Sequence, residues 1–328
     1  MTEEGRPTSA SLPSRVVFFG SGGFGVPILG SIASLPGTRL VGAVTLPDRP
    51  SGRHAALTPT PVAVAAERLG VPLFRMGSVR SADALERISA LRPDVGVLAD
   101  FGRIVPADLL DLPERGILNV HPSLLPRHRG ATPVAATILA GDEEAGVTVI
   151  VMDEGVDTGP IVAQESWPLL GRETAPALEA KAAELAAALV RRVVPAWLSG
   201  SIVSAPQPTE GGTLTRPFRR DDGRLDPTLP AARLERMVRA LEPWPGTFVD
   251  TSAGRLGVLA ASVVPSAPDD EAGRLVADHG GLALATSDGR LRLERVLPSG
   301  RRPMTGAEYA RGAGRSLVGT RIGTQAGS

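Results

Sequence analysis

The sequence predicts two domains: an α/β domain on an open, mostly parallel sheet with helices on both faces, then a smaller antiparallel β-barrel. Three observations predict this. Apolar, strand-like runs alternate with segments of helical period from Arg15 to about Trp197. A stretch rich in Ser, Pro and Gly, Ser199 to Gly212, has little periodicity and separates the halves. Beyond it, short apolar runs are divided by Gly and Asp turns.

Taken in order, Arg15–Gly20 reads as the first strand, Pro27–Ser34 as a helix, Arg39–Thr45 as the second strand and Pro61–Leu69 as the second helix. Further strands are expected at Val95–Leu98, Ile117–His121 and Val147–Val151, with helices between them, which makes the domain Rossmann-like. From Ala177 to Trp197, Leu178, Leu185, Leu189 and Val193 recur at helical spacing, and Pro195 is expected to break that helix near its end. After the linker, Leu234, Met237, Val238 and Leu241 line one helix face, with Arg233 and Arg236 on the other. Apolar runs at Arg255–Ala260, Gly281–Thr286 and Arg290–Leu297 then suggest a small barrel, OB-like in type. The expected boundaries are a disordered tail at 1–14, a first domain at 15–198, a linker at 199–212 and a second domain at 213–323.

Composition narrows the chemistry. At 328 residues and 42% hydrophobic, the chain is long and apolar enough for two cores. It has no cysteine, which excludes thiolate catalysis, disulfides and Cys-type zinc sites, and four histidines are left as imidazole candidates. No metal is expected. Formal charge is zero, so a nucleic acid would have to be held by local patches. No apolar run is long enough for a bilayer, and residues 1–14 lack a secretory apolar segment, so a cytoplasmic location with no membrane partner is expected.

Residues 116–120, Gly-Ile-Leu-Asn-Val, form a short buried strand in which Asn119 is out of place. Because side chains alternate, Asn119 and His121 share one face at its carboxyl end. Pro122, Pro126 and Pro133 stiffen the loop beyond that strand. A carboxylate-rich turn, Asp153 to Asp157, comes after the next strand. If that strand runs parallel, its end lies on the same rim, and Asp157 reaches His121. An Asn, a His and an Asp together suit acyl transfer, with an amide donor for an oxyanion, a proton relay and an orienting carboxylate. A lone histidine is more often structural, and Asp153 and Glu154 suit a plain turn. His128 is a candidate ligand contact, while His54 and His279 read as surface residues. Gly20-Ser21-Gly22-Gly23-Phe24-Gly25 matches a dinucleotide turn, with Asp48 beyond the second strand. That Asp lies in a Pro-Asp-Arg-Pro loop and not at a strand tip. A tight turn that needs glycine, or an anion at the helix N-terminus, accounts for the pattern as well.

These motifs resemble the folate-dependent formyltransferase family, whose signature couples Asn-x-His with Ser-Leu-Leu-Pro and a downstream Asp. Thr45–Arg53, Arg127–Pro133 and Leu241–Gly246 are similar to the branch that acts on methionyl-tRNA, and the likeness runs from about Arg15 to Gly323. The resemblance implies a catalytic trio of Asn119, His121 and Asp157. It implies 10-formyltetrahydrofolate as donor, bound by Ser123, Leu124, Leu125 and Pro126, and initiator methionyl-tRNA as acceptor; a monomer is expected, although the sequence does not disclose the oligomeric state. Phosphate contacts are then expected from Arg49, Arg53, Arg216, Arg219, Arg220 and Arg224, for which a solvated arginine face is the plain alternative. A formyltransferase for a sugar-nucleotide or other small amine, and a non-catalytic tRNA- or nucleotide-binding protein, are the rival readings. A nicotinamide enzyme ranks last. The chain departs from the family in three places. The loop after the second strand is less basic, Asp100 precedes the Phe101-Gly102 pair at the pterin pocket, and glycine (Gly22 or Gly23) replaces an acidic residue in the first loop.

Overall fold

The computed structural model describes residues 12–51 and 56–323. Much of the expected tail at 1–14, and both Arg53 and His54, lie outside the described residues. The chain divides into two compact units that interleave along the sequence. One comprises residues up to Arg129, Gly146–Ser166 and Ala180–Thr213; the other comprises Gly130–Ala145, Trp167–Glu179 and Leu214 onward. The segment 199–212 thus belongs structurally with the first unit.

The first half of the chain runs β1 (Ser14–Gly20), α1 (Gly25–Ala33), β2 (Thr38–Thr45), β3 (Arg49–Ser51), β4 (Ala56–Thr58), α2 (Pro61–Arg68), β5 (Leu73–Arg75), α3 (Ala82–Ser89), β6 (Val95–Ala99), α4 (Ala107–Leu110) and β7 (Ile117–His121). Then come β8 (Arg129–Gly130), α5 (Pro133–Ala140), β9 (Glu144–Val151), β10 (Ile161–Pro168) and α6 (Ala175–Leu198). Seven strands form a sheet in the order β10-β9-β7-β6-β1-β2-β5. β7, β6, β1, β2 and β5 are parallel, and their carboxyl ends share a rim. The order reverses between β1 and β6, the place where open α/β sheets open a crevice for ligands. Val17, Phe19, Leu98, Phe101 and Ile117 pack the core here, with Phe101 edge-on to Phe19 at 5.8 Å between ring centroids.

Two expectations need correction. β9 runs antiparallel to β7, pairing Leu118 with Val151 and His121 with Thr148, so its carboxyl end lies beside the start of β7 and not on the shared rim. Pro195 does not end its helix, because α6 continues to Leu198. A proline there removes one backbone donor in the final turn, and Ser199 N–H still donates to the Pro195 carbonyl. The loop after β2 also folds into a small antiparallel hairpin, β3–β4, that no periodicity announced.

The other unit carries a separate antiparallel sheet. β11 (Leu214–Thr215) pairs with β8, and α7 (Ala231–Ala240) follows a short 3-10 turn at Arg220–Gly223. After it come β12 (Thr247–Thr251), β13 (Gly254–Val264), β14 (Leu275–Asp278), β15 (Gly281–Ala285), β16 (Arg290–Pro298), β17 (Met304–Thr305) and α8 (Gly306–Arg311). The order is β12-β13-β16-β15-β14, with β17 on β16. Irregular pairing around Ala260 lets the long β13 bend, as closure toward a barrel requires. Leu234 and Val238 of α7 enter the core formed with Val258, Leu284, Leu291 and Val296. The opposite face of α7 is only partly exposed: Arg233 donates to the Leu139 carbonyl of α5, and the Arg236 guanidinium lies against Gly141.

Candidate active site

Asn119 and His121 are both buried on β7, at 6% and 4% exposure, and strand alternation turns both toward the same residue, Asp157. Asp157 sits in the loop that joins β9 to β10, which is closed at its base by Val151 N–H donating to the Pro160 carbonyl. This loop is tightly built. The Asp153 carboxylate accepts from Gly155 N–H and from the Thr158 hydroxyl, the turn-forming role its residue type suggests. Gly159 has to be glycine, since a Cβ there would lie 1.8 Å from the Val151 carbonyl oxygen.

Because β9 is antiparallel to β7, the loop starts beside Leu118 and folds back over the sheet toward the carboxyl end of β7. Asn119 is one residue along that path and His121 is three, about 10 Å away at strand rise. The distances follow this order. Asn119 Nδ2 donates to Asp157 Oδ1 at 2.8 Å, while His121 Nδ1 is 3.5 Å from Asp157 Oδ2. The predicted trio therefore comes together, though by a fold-back loop and not by a shared rim. Asp157 holds a left-handed backbone conformation, φ +53°, which Asp tolerates better than most residues.

The other ring nitrogen of His121 is held more closely. Nε2 is 3.0 Å from the carbonyl oxygen of His128, whose own φ is +58°. A backbone carbonyl can only accept, and 3.0 Å is hydrogen-bond distance, so the neutral ring carries its proton on Nε2 and leaves Nδ1 unprotonated, 3.5 Å from the Asp157 carboxylate. Burial pushes the His121 pKa below the ordinary histidine value, against the opposing pull of the Asp157 charge and the His128 carbonyl. The ring is thus neutral at neutral pH, and a proton arriving at Nδ1 would face a carboxylate.

Of the residues expected to hold the donor, Ser123 and Leu125 are buried and engaged internally. The Ser123 hydroxyl donates to the Arg127 carbonyl, and Leu125 N–H donates to the Thr148 hydroxyl. Leu124 and Pro126 are half-buried. His128 is buried, its backbone N–H donating to the Thr213 hydroxyl. His279 is exposed. Among the expected tRNA contacts, Arg49, Arg219 and Arg220 are exposed. Arg216 forms a two-pronged ion pair with Asp222, and Arg224 pairs with Asp250 while lying over the Phe248 ring.

The glycine-rich turn is ill-suited to a dinucleotide. Asp48 is engaged by Arg75 at 3.0 Å. The Asp100 carboxylate packs on Gly22 so closely that a Cβ there would lie 1.5 Å from Asp100 Oδ2, and Ser21 and Gly22 N–H both point to the Asp100 carbonyl. A carboxylate already occupies the neighbourhood of the α1 N-terminus, where a pyrophosphate would be repelled. Gly22 and Asp100 are therefore two halves of one arrangement: the first loop lacks an acid of its own, and the end of β6 supplies one.

Residues with no sequence signal of their own complete the surroundings. Gln164 Nε2 donates to the Leu125 carbonyl and to the Thr148 hydroxyl, Thr213 supports the 126–129 turn, and Gln207 bridges the Asp157 loop. Their separations of 16 to 85 residues leave no local pattern to find.

A buried amide and a neutral imidazole around one carboxylate, on an α/β sheet followed by a small β-sheet unit, suit a group-transfer enzyme. The chain belongs to the formyl transferase family: the family's model matches residues 14–194, and the model of its C-terminal domain matches residues 218–314. A methionyl-tRNA formyltransferase of Halorhodospira halophila is 43% identical over 302 residues, covering 92% of this chain and 97% of that protein. One from Roseiflexus sp. is 41% identical over 313 residues, covering 95% and 96%. In fold, the chain is similar to an N-formyltransferase from Helicobacter canadensis solved with folinic acid and dTDP-3-aminofucose. The TM-score is 0.65 at 14% identity, with 86% of this chain and 98% of that one covered. No helix among the described residues is long and apolar enough to cross a membrane.

Proposed function

We propose that this enzyme transfers the formyl group of 10-formyltetrahydrofolate to the α-amine of methionyl-initiator tRNA. The Asn119–Asp157–His121 arrangement carries the chemistry, and relatives named for this reaction across nearly the full chain support the substrate. The amine nitrogen bonds to the formyl carbon, the bond from that carbon to N10 of the donor breaks, the amine loses a proton and N10 gains one. Asn119 has two N–H groups. One is given to Asp157, which fixes the amide, and the second is available to meet the oxygen that becomes negative at the formyl carbon. His121 Nδ1 takes the proton, where Asp157 stabilises the resulting imidazolium.

For the donor, a hollow of about 470 Å³ lies on the same sheet rim, lined by Gly77–Arg80 after β5 and Gly102–Ile104 after β6. Its size suits a cofactor-sized molecule, and Arg80 and Arg103 suit the carboxylates of a folate. Leu124 and Pro126 are the members of the Ser-Leu-Leu-Pro run with surface left for it. Arg49, Arg219 and Arg220 are assigned to tRNA phosphates.

The test is a formylation assay with 10-formyltetrahydrofolate, run on methionyl-initiator tRNA, free methionine and a sugar-nucleotide amine, beside His121→Ala. Formylation of the charged tRNA, lost in the variant, is the expected result. Preference for the small amine would keep the chemistry and overturn the acceptor; folate binding without turnover on any amine would overturn both.

A further inference from the structure

Gln207, in the stretch the sequence marks only as a linker, is placed as though part of the site. Two residues before it, Ala205 exchanges a pair of backbone hydrogen bonds with Ile161, at 2.7 and 2.8 Å, which fixes the segment alongside β10. The Gln207 carboxamide is then fully used. Its Nε2 donates to the carbonyl oxygens of Asp157 and Gly159, both at 2.8 Å, and its Oε1 accepts from Arg129 Nη2 at 2.7 Å and Nε at 3.1 Å. Two carbonyls on one side and a guanidinium on the other leave the amide a single orientation.

We propose that Gln207, backed by Arg129, is a positioning residue that holds Asp157 in its left-handed conformation and so aims the carboxylate at Asn119 and His121. The backbone of a non-glycine residue at φ +53° is sparsely populated, and persists where surroundings over-determine it. Here the fixed points are on either side of the side chain that matters. Gly159 is pinned at the Val151 carbonyl, Asp153 gathers Gly155 and Thr158, and Gln207 ties the carbonyl of Asp157 to the sheet edge through Ala205. Releasing that carbonyl frees the peptide plane after Asp157 to turn, and the carboxylate moves with it. This inference rests on the catalytic role proposed for Asp157.

Gln207→Glu keeps the size and the Arg129 partner but presents lone pairs where the two carbonyls need N–H groups; Gln207→Ala removes the bridge. Both variants and wild type are to be compared by kcat and KM for 10-formyltetrahydrofolate and methionyl-tRNA, by thermal unfolding, and by NMR titration of the His121 ring, identified by its absence in His121→Asn. We expect kcat to fall on the order of 10- to 100-fold with both KM values held within about threefold. The His121 ring should titrate at lower pH in both variants, because Asp157 no longer supports its protonated form, while Tm stays close to wild type. Wild-type kcat with an unchanged ring titration would overturn the proposal, and so would unfolding of both variants, which would make Gln207 structural. If wild type itself fails to formylate methionyl-tRNA, the substrate reading fails, and the ring titration still decides whether Gln207 governs Asp157.

Discussion

Asp157 gives its short contact to Asn119 and its long one to His121: 2.8 Å to the amide against 3.5 Å to the ring. The carboxylate is therefore first an anchor for the amide and second a counter-charge for the imidazole. Replacing it should separate the two duties. Asp157→Asn leaves an oxygen for the Asn119 amide but no charge for a protonated ring, whereas Asp157→Ala removes both. Turnover should fall further in the alanine variant, and Asn119→Ala should cost on the order of 10² to 10³ in kcat, the usual loss of an oxyanion donor. Single-turnover formylation with each purified variant measures this; equal activity in Asn119→Ala and wild type would remove the oxyanion role.

The pH dependence follows from the direction of the His121 shift. Its folded pKa lies below the ordinary histidine value because burial disfavours the charged ring. The base form thus persists below the ordinary histidine range, and kcat/KM should stay flat as pH falls through about 6.5 and decline only below it. Stability has its own signature. As pH falls below about 6.5 the unfolded chain takes up this proton first, so stability drops from there until the folded pKa is reached. His121→Asn removes that component. A wild-type stability curve of the same slope as the variant's from about pH 6.5 downward would mean that the ring titrates normally.

Much of this site was legible in the sequence because its signals are local. Asn119 inside an apolar strand, His121 two residues on and the Asp153–Asp157 turn stand out by residue type alone. What joined them was not legible. A parallel β9 would have brought Asp157 to the rim; β9 is antiparallel, and the loop reaches the same place by folding back. An apolar strand buried on both faces looks alike in either direction. Pro195 misleads for a related reason: a proline marks a missing hydrogen bond, but one missing bond at the end of a 24-residue helix does not outweigh the packing of Leu178, Leu189 and Val193. Gln207 lies in a Ser/Pro/Gly-rich stretch that carries no period, Thr213 directly follows it, and the partners of both are distant in sequence, 48 residues away for Gly159 and 85 for His128.

Gly22 and Asp100 should be energetically coupled. A methyl group at Gly22 would fall within 1.5 Å of the Asp100 carboxylate, which must then leave its place. Gly22→Ala alone should destabilise by about 1–3 kcal/mol, as other overpacking substitutions do. In an Asp100→Ala background the same change should cost at least about 1 kcal/mol less, the scale on which contacting residues couple. Urea unfolding of the four proteins of the cycle gives the coupling, and additive costs would show that the two positions do not meet.

The arginines near the start of the second unit should not contribute equally to tRNA binding. Arg216 is held by both Asp222 oxygens, at 2.7 and 2.8 Å, and this pairing, with the Arg219 backbone N–H, lowers the Asp222 pKa to about 2. Asp222 is therefore ionised throughout the working range, and its charge offsets the one that Arg216 would offer a phosphate. Arg219 and Arg220 are exposed on the same turn, and among the described residues neither guanidinium is held by a carboxylate in this two-pronged way. Removing one phosphate contact lowers the slope of log affinity against log salt by about 1. Arg220→Ala and Arg219→Ala should each do so, while Arg216→Ala should leave the slope nearly unchanged. Asp222→Asn supplies the converse: it removes the charge that holds Arg216 and sits beside the arginines assigned to tRNA, and should raise both affinity and salt slope. Filter binding of methionyl-tRNA between roughly 50 and 200 mM salt, the range over which such slopes are read, tests all four. An equal drop in Arg216→Ala would mean that the bound phosphate takes the guanidinium from Asp222.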